Sequence, residues 1–442
     1  MTVPTTPAES RTTKLGPVFL LISGYIILNI SMGIFTGEKV TFLLKDELHL
    51  SASTVTSLNL LIFLPTYSQP FMGAGMELYP LFGSRRRGYF IVAALLTALA
   101  WLIMALQPVH RLTAVVCCLL LSATGLTLRS VLVHAIMVAL GNRVGNYKAI
   151  QSVFQFLPLV LVAAFAGRFG GIVTEHWSYR AAFGTAACVA LGYLLLLPLL
   201  KEPESPVRVP ESDTKTEPSN PRAALRQALK DRRLWAVTAF VAYFGLVPSP
   251  DTARPYFFSD SLHFSKTFIG ELTGWGAFGA ALGILLMQLA PRGLRLRTLA
   301  WVAASTMLLA MVPQLLIHDP LSAKIGMLAF NAIASICNFT YAWMWARACP
   351  KGLETVVYGT LASTQALFYY LCDWIGTHMY DWFGPASGHS AAYGWHWTLI
   401  TCMATGIPLF FILLLLPKAD PAEDHIASES QPEIAFPEAA MH

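Results

Sequence analysis

Apolar residues in this chain gather in long runs separated by short polar loops. A bilayer core takes about 20 residues of helix to cross, so each run predicts a membrane span. The first six are Pro17–Glu38, Ser53–Met76, Tyr89–Gln107, Thr113–Leu140, Ile150–Thr174 and Tyr179–Leu200. The next six are Leu234–Ser259, Phe268–Pro291, Leu299–Ile317, Leu321–Ala348, Glu354–Trp382 and Tyr393–Leu416. Between the two sets lies one long polar segment, Lys201–Asp231, rich in Pro, Glu, Ser and Lys. Such a composition cannot bury a core and predicts a linker. The pattern predicts an all-α polytopic membrane protein with twelve transmembrane helices in two six-helix halves. The partition is an N-terminal tail (1–14), a first half (15–200), the linker (201–231), a second half (232–416) and an acidic tail (417–442).

A repeated loop supports the two halves. FLLKDELHLSASTVTSL, Phe42–Leu58, returns as YFFSDSLHFSKTFIGEL, Tyr256–Leu272. Asp46 and Asp260 stand 214 positions apart (260 − 46), and His49 with His263 and Ser51 with Ser265 keep the same offset. Repetition of one polar corner at about half the chain length predicts two related units. Ser51 and Ser265 each precede a new span and are expected to cap it.

Composition and charge agree with a membrane setting. The 442 residues are 55% hydrophobic and 12% charged, against about 25% charged in soluble domains. The net charge of +5 sits in loops, which makes it a topology signal and not a nucleic-acid footprint. Arg85–Arg87, Arg143 with Lys148, the linker, Arg292 to Arg297, and Arg347 with Lys351 all fall on one side. By the positive-inside rule that side is the cytoplasm, with both termini, in a cell membrane. The repeated loops then lie outside. The first run has no cleavage site and is expected to remain as a span. The seven cysteines show no metal-ligand spacing. There is no P-loop, no Gly-x-Ser-x-Gly elbow and no HExxH. An enzyme, a cofactor and a metal site are therefore not expected.

Ionisable residues inside spans cost roughly 2.5–3.5 kcal/mol to insert and are functional candidates by default. Arg129 and His134 lie in the fourth run, with Ser130 beside them. Arg129 offers a fixed charge and a bidentate donor for a carboxylate or phosphate, and His134 can take up a proton. The seventh run reads GLVPSPDTARPYFF, and Pro248, Pro250 and Pro255 cannot all fit one unbroken helix. Asp251 and Arg254 follow that break, facing either one cavity or each other. Asp373 in the eleventh run is a candidate counter-charge to Arg129 or Arg254. Gln69 is a polar residue within the second run. After it, Gly73 and Gly75 are expected to allow close helix approach. Glu77 is placed to pair with an arginine of the Arg85, Arg86, Arg87 cluster and so close the inner side.

Two halves of six joined by a long inner linker resemble the major facilitator superfamily, in which the halves rock around a midplane site. The motifs narrow this. The FLLKDELHLS loop is followed by Pro70, Gly73, Glu77, Pro80, Phe82, Gly83 and Arg85–Arg87, and later by CPKGLETVVYGTLAS, Cys349–Ser363. These resemble the folate–biopterin transporter family across most of the membrane part. The resemblance implies a gating role for Glu77, Arg85–Arg87 and Glu354. It also implies a pterin- or folate-like solute moved by alternating access, with proton symport or exchange. The expected partners are a small-molecule solute, membrane lipids and a coupling proton, with no nucleic acid, in a monomer. Two positions depart from the family. Gln69 stands where it carries a lysine, and Ser130 and His134 replace two aspartates in its span 4. With Arg129 adjacent, that helix face is neutral or basic, which favours an organic anion. Two other readings fit the same residues. One is a non-transporting sensor or assembly factor of this fold. The other is a permease for a peptidoglycan fragment or nucleoside derivative.

Overall fold

The structure is a computed structural model describing residues 16–79, 81–84, 87–144, 160–161, 165–199, 240, 243–289, 296–348 and 354–415. The first helix, α1, runs Gly16–Phe42 and passes directly into a π-helical turn, Leu43–Glu47. The expected end at Glu38 is therefore too early. The apolar run VTFLL carries the helix on, and Glu38 lies inside a span counted as Leu20–Glu47.

The second run is broken by its prolines into α2 (Ala52–Ile62), α3 (Leu64–Tyr67) and α4 (Gln69–Leu78). Pro65 and Pro70 each take the second position of a new helical piece, where a missing N–H costs no helix bond. The first half continues with α5 (Arg87–Leu106), α6 (Leu112–Val144), α7 (Gly167–His176) and α8 (Tyr179–Gly192), which ends in a 3₁₀ stretch, Tyr193–Leu199. In the second half, 247–253 is non-helical, and α9 (Arg254–Asp260) begins only at Arg254, with Pro255 in its first turn. The expected break in the seventh run is therefore present. Then follow α10 (Lys266–Gln288), α11 (Leu296–Leu315), α12 (Pro320–Ala348), α13 (Glu354–Phe383), α14 (Ala391–Gly406) and α15 (Pro408–Leu415).

Eight helical stretches among the described residues are long and apolar enough to cross a membrane. Of the other four expected spans, the second is the broken series α2–α4, and the eleventh, α13, carries Asp373, His378 and Asp381. About half of the fifth lies outside the described residues, and the seventh, described at 240 and 243–259, is interrupted at 247–253. Within the first half α5 packs on α6 and α8, and within the second α12 packs on α10 and α11. Two seams join the halves, α7 against α10 and α2 against α13.

The repeated loops have one backbone. Leu50 N–H donates to Leu44 O at 3.0 Å, and Phe264 N–H donates to Phe258 O at 3.0 Å. His49 (φ 50°) and His263 (φ 53°) both sit in the left-handed region that ends a helix. Ser51 then accepts from Thr54 N–H at 3.3 Å and Ser265 from Phe268 N–H at 3.1 Å. The expected caps are therefore formed.

Candidate functional site

The two repeated corners meet across the halves. Lys45 pairs with Asp260, and Lys266 pairs with Asp46. Lys45 also lies over the Tyr256 ring, 5.1 Å from its centroid, and Lys266 over the Phe42 ring at 4.8 Å. Phe42 and Tyr256 are equivalent positions of the repeat, as are Asp46 and Asp260. Each half thus presents an aromatic and an aspartate, and each receives a lysine from the other. The Tyr256 hydroxyl donates to Leu50 O at 2.9 Å.

Next to this clasp each half caps a helix of the other. Ser53 N–H donates to the Asp381 carboxylate at 3.0 Å, and Thr267 N–H donates to the Glu175 carboxylate at 2.8 Å. Ser53 and Thr267 are again repeat equivalents, each at the second position of its helix. A carboxylate there meets free N–H groups and the positive end of the helix dipole. Thr267, through its side chain and its backbone N–H, holds the Glu175 carboxyl below the usual carboxylate range.

Deeper, the seams differ. Along the seam of α2 and α13, Asp373 is 3% exposed. Its carboxylate accepts from Thr252 N–H at 2.8 Å, Thr56 Oγ1 at 3.0 Å, Thr377 Oγ1 at 3.1 Å and the Thr252 hydroxyl. Thr56 belongs to the first half, so Asp373 ties the halves together. Its expected role as direct counter-charge to Arg129 or Arg254 is not what the structure shows, because neutral donors occupy its oxygens. Trp374 Nε1–H donates to Ser57 Oγ at 2.9 Å, and Phe63 stacks on Tyr370 with centroids 4.4 Å apart.

Asp251 and Arg254 face each other and form an ion pair. Arg254 Nε–H also donates to Gln314 Oε1 at 3.1 Å, and its guanidinium lies 4.8 Å from the Phe330 centroid. Thr252 links this pair to Asp373. The non-helical 247–253 segment fits because Gly376 leaves room, since a Cβ there would stand 2.6 Å from Ser249 C.

Arg129 lies apart from that group, inside the first half. It is 1% exposed, and its guanidinium carbon sits 3.8 Å from the Tyr193 ring centroid. Nε and Nη1 have no hydrogen-bond partner, and among the described residues no carboxylate pairs with it. Stacking on Tyr193 offsets part of the cost of burying the charge. Ser130 and Gln69 are half-buried on α6 and α4. The structure thus joins Asp251, Arg254 and Asp373, and leaves Arg129 in a separate place.

The proposed inner gate falls mostly outside the described residues, which exclude Arg85 and Arg86 and the side chains of Glu77 and Glu354; the side chain of His134 is likewise outside them. Arg87 is exposed at the start of α5, where its N–H donates to Ser84 Oγ at 2.9 Å. Phe82 and Gly83 form the turn before it with positive φ, 54° and 72°. Gly73 and Gly75 do not make the expected close approach. A Cβ at Gly73 would meet only Val131, at 3.6 Å, and one at Gly75 would meet nothing within 4 Å. The close glycine contact lies in the seam of α7 and α10, where a Cβ on Gly270 would sit 2.5 Å from Gly167 O.

Sequence reasoning missed Glu175, Asp381 and the lysine exchange. No signal in the sequence marked them, since Glu175 and Asp381 lie outside the two repeated corners and Lys45 and Lys266 are not equivalent positions of the repeat. It also missed Glu38, whose carboxylate accepts from Thr273 Oγ1 of α10 at 3.1 Å.

The BT1 family model matches residues 32–433. A folate-biopterin transporter of Synechocystis sp. is 26% identical over 413 residues, covering 89% of this chain and 81% of its own length. Among solved structures, the fold is similar to the nucleoside transporter NupG (D323A mutant), with TM-score 0.65, 10% identity, and 91% of this chain and 100% of that one covered. It is similar also to a D-xylose-proton symporter, with TM-score 0.60, 16% identity, and 91% and 97% covered. These likenesses establish a major facilitator fold, and the family match establishes a membrane transporter and not an enzyme. The chain belongs to the BT1 family.

Proposed function

We propose that this protein moves a small organic anion of folate or pterin type across the cell membrane by alternating access. The cycle is driven by a proton gradient or by exchange, in a monomer. Both termini and the 201–231 linker lie in the cytoplasm, so the clasped corners are the extracytoplasmic end. The state described here has that end shut.

The observation that carries the reading is Arg129. A buried guanidinium with two nitrogens unpartnered, and no carboxylate beside it among the described residues, has unmet demand for an anion. Arg254 adds a second cation near the seam, and the aromatic rings of Phe330, Phe63 and Tyr370 suit a planar solute. The family relative named for folate and biopterin supports the solute class.

The test is uptake of labelled folate, biopterin and small carboxylates into proteoliposomes, with and without a pH gradient. Arg129→Ala is expected to abolish uptake while the protein stays in the membrane at its usual level. Unchanged uptake removes Arg129 from the site. No uptake of any of these solutes by the wild-type protein overturns the solute class.

A further inference from the structure

Glu38 is an acid within the first span. It lies nine residues before the end of the stretch that closes at Glu47, or about 13 Å of helix rise. Glu38 is half-buried, and placing a charge at such depth needs a reason that the contacts described do not supply. Thr273 Oγ1 is its hydrogen-bond donor among the described residues. Among the described residues no lysine or arginine pairs with it; Arg254, close enough to act on its charge, is already engaged by Asp251 and Gln314. A carboxylate has room for about four hydrogen bonds, and one is used. Beside it on α1, Gly33 and Gly37 are exposed, and a Cβ on either would meet nothing within 4 Å. The carboxylate therefore meets the opposite half through Thr273 with acceptor capacity left over.

We propose that Glu38 is a solute-recognition residue that accepts from two adjacent N–H donors on a planar heterocycle, the edge formed by a ring N–H beside an exocyclic amino group. Two parallel N–H donors match the two oxygens of one carboxylate in a bidentate pair. The proposal rests on the folate/pterin reading above and adds the part of the solute that is read.

The experiment measures labelled biopterin uptake into proteoliposomes against two competitors. One is the 2-amino-4-oxo ring; the other carries a carbonyl in place of the 2-amino group and so loses a donor. Wild-type protein is expected to prefer the 2-amino compound by roughly ten-fold or more, the size of a charge-assisted hydrogen bond. Glu38→Gln is expected to bring the two competitors within about two-fold of each other, since an amide no longer offers two acceptors. Thr273→Val, which keeps the carboxylate and removes only the contact between halves, is expected to keep the preference. Glu38→Asp is expected to keep it with weaker affinity, which separates lost recognition from misfolding. Glu38→Gln protein that retains full preference overturns the proposal. So does a variant that loses gradient-driven uptake but keeps preference in exchange, which would make Glu38 a proton site. Wild-type protein that transports neither folate nor pterin fails the underlying reading instead, and that result is seen without any variant.

Discussion

The two seams between the halves start alike and then diverge. At both, a carboxylate from one half caps the second N–H of a helix in the other, Asp381 at Ser53 and Glu175 at Thr267. Below that, the seam of α7 and α10 is backbone against backbone, with Gly167 and Gly171 facing Gly270 and Gly274. The seam of α2 and α13 is held by polar and aromatic side chains, with Asp373 at its centre. Contact through backbone is close and short-ranged, and it tolerates rotation about a near-fixed point better than separation. Hydrogen bonds from threonines to a buried carboxylate are replaceable by water once the seam opens. The comparison casts the glycine seam as pivot and the Asp373 seam as the part that parts.

The largest expected effect comes from breaking the pivot. Gly270→Ala places a methyl 2.5 Å from Gly167 O, where only backbone can give way. Overpacking costs roughly 1–3 kcal/mol where side chains can move, and more where they cannot. Detergent-extracted protein is expected to melt several degrees lower, and uptake to fall to background. An alanine variant with wild-type melting and uptake would show that this seam is not close-packed in the working protein.

Asp373→Ala comes next. It leaves Thr56, Thr377 and the Thr252 N–H without their acceptor, at about 1–3 kcal/mol for each group left buried and unpaired. Partial wetting of the opened seam reduces that total. The expected outcome is a transporter that still folds but whose seam opens more often. Labelling of a cysteine introduced at Ser57 by a membrane-impermeant maleimide should rise several-fold. Labelling unchanged from the parent would mean Asp373 does not hold the seam.

Much of this architecture was legible in the chain. Eight of the spans, the proline break in the seventh run, and the serine caps at Ser51 and Ser265 follow from local rules, since run length, a missing N–H and a cap side chain act within a few residues. Asp251 and Arg254 were legible as neighbours because three positions of separation fix their proximity. What joined the halves was not legible. Lys45 meets Asp260, and Asp46 meets Lys266, although the two lysines are not equivalent positions of the repeat. No spacing in one dimension announces such a pairing. Glu38 was hidden by a boundary error. A charged residue after an apolar run reads as its end, while the π-helical turn after Phe42 keeps the span going. Arg129 was legible as an outlier, but its burial under Tyr193 depends on packing between α6 and the 3₁₀ stretch.

The lysine exchange gives a smaller and reversible effect. Asp46 and Asp260 are 39% and 49% exposed in their side chains, and exposed pairs contribute about 0–1 kcal/mol. Lys45→Asp is expected to slow uptake about two- to five-fold by setting like charges against each other. The double variant Lys45→Asp with Asp260→Lys is expected to recover most of the rate, because the pair is restored with its sense reversed. Failure of the double variant to recover would assign the loss to the stacking of Lys45 on Tyr256 and not to charge.

The smallest effect is on pH, and it separates the seams at their shared feature. Glu175 titrates below the ordinary carboxylate range because Thr267 donates to its ionised form. A group with a lowered pKa contributes above its unperturbed value, about 4.3 for Glu, and its contribution disappears as pH falls through the lowered one. The cap at Thr267 is therefore complete at neutral pH and weakens only in strong acid. Glu175→Gln removes the charge at every pH. The melting temperature of the detergent-extracted parent should fall on strong acidification, and that of the glutamine variant should be lower already at neutral pH and change less with acid. If both proteins respond alike, the acid-sensitive contact lies elsewhere on the outer face, and the two seams differ only in their depths.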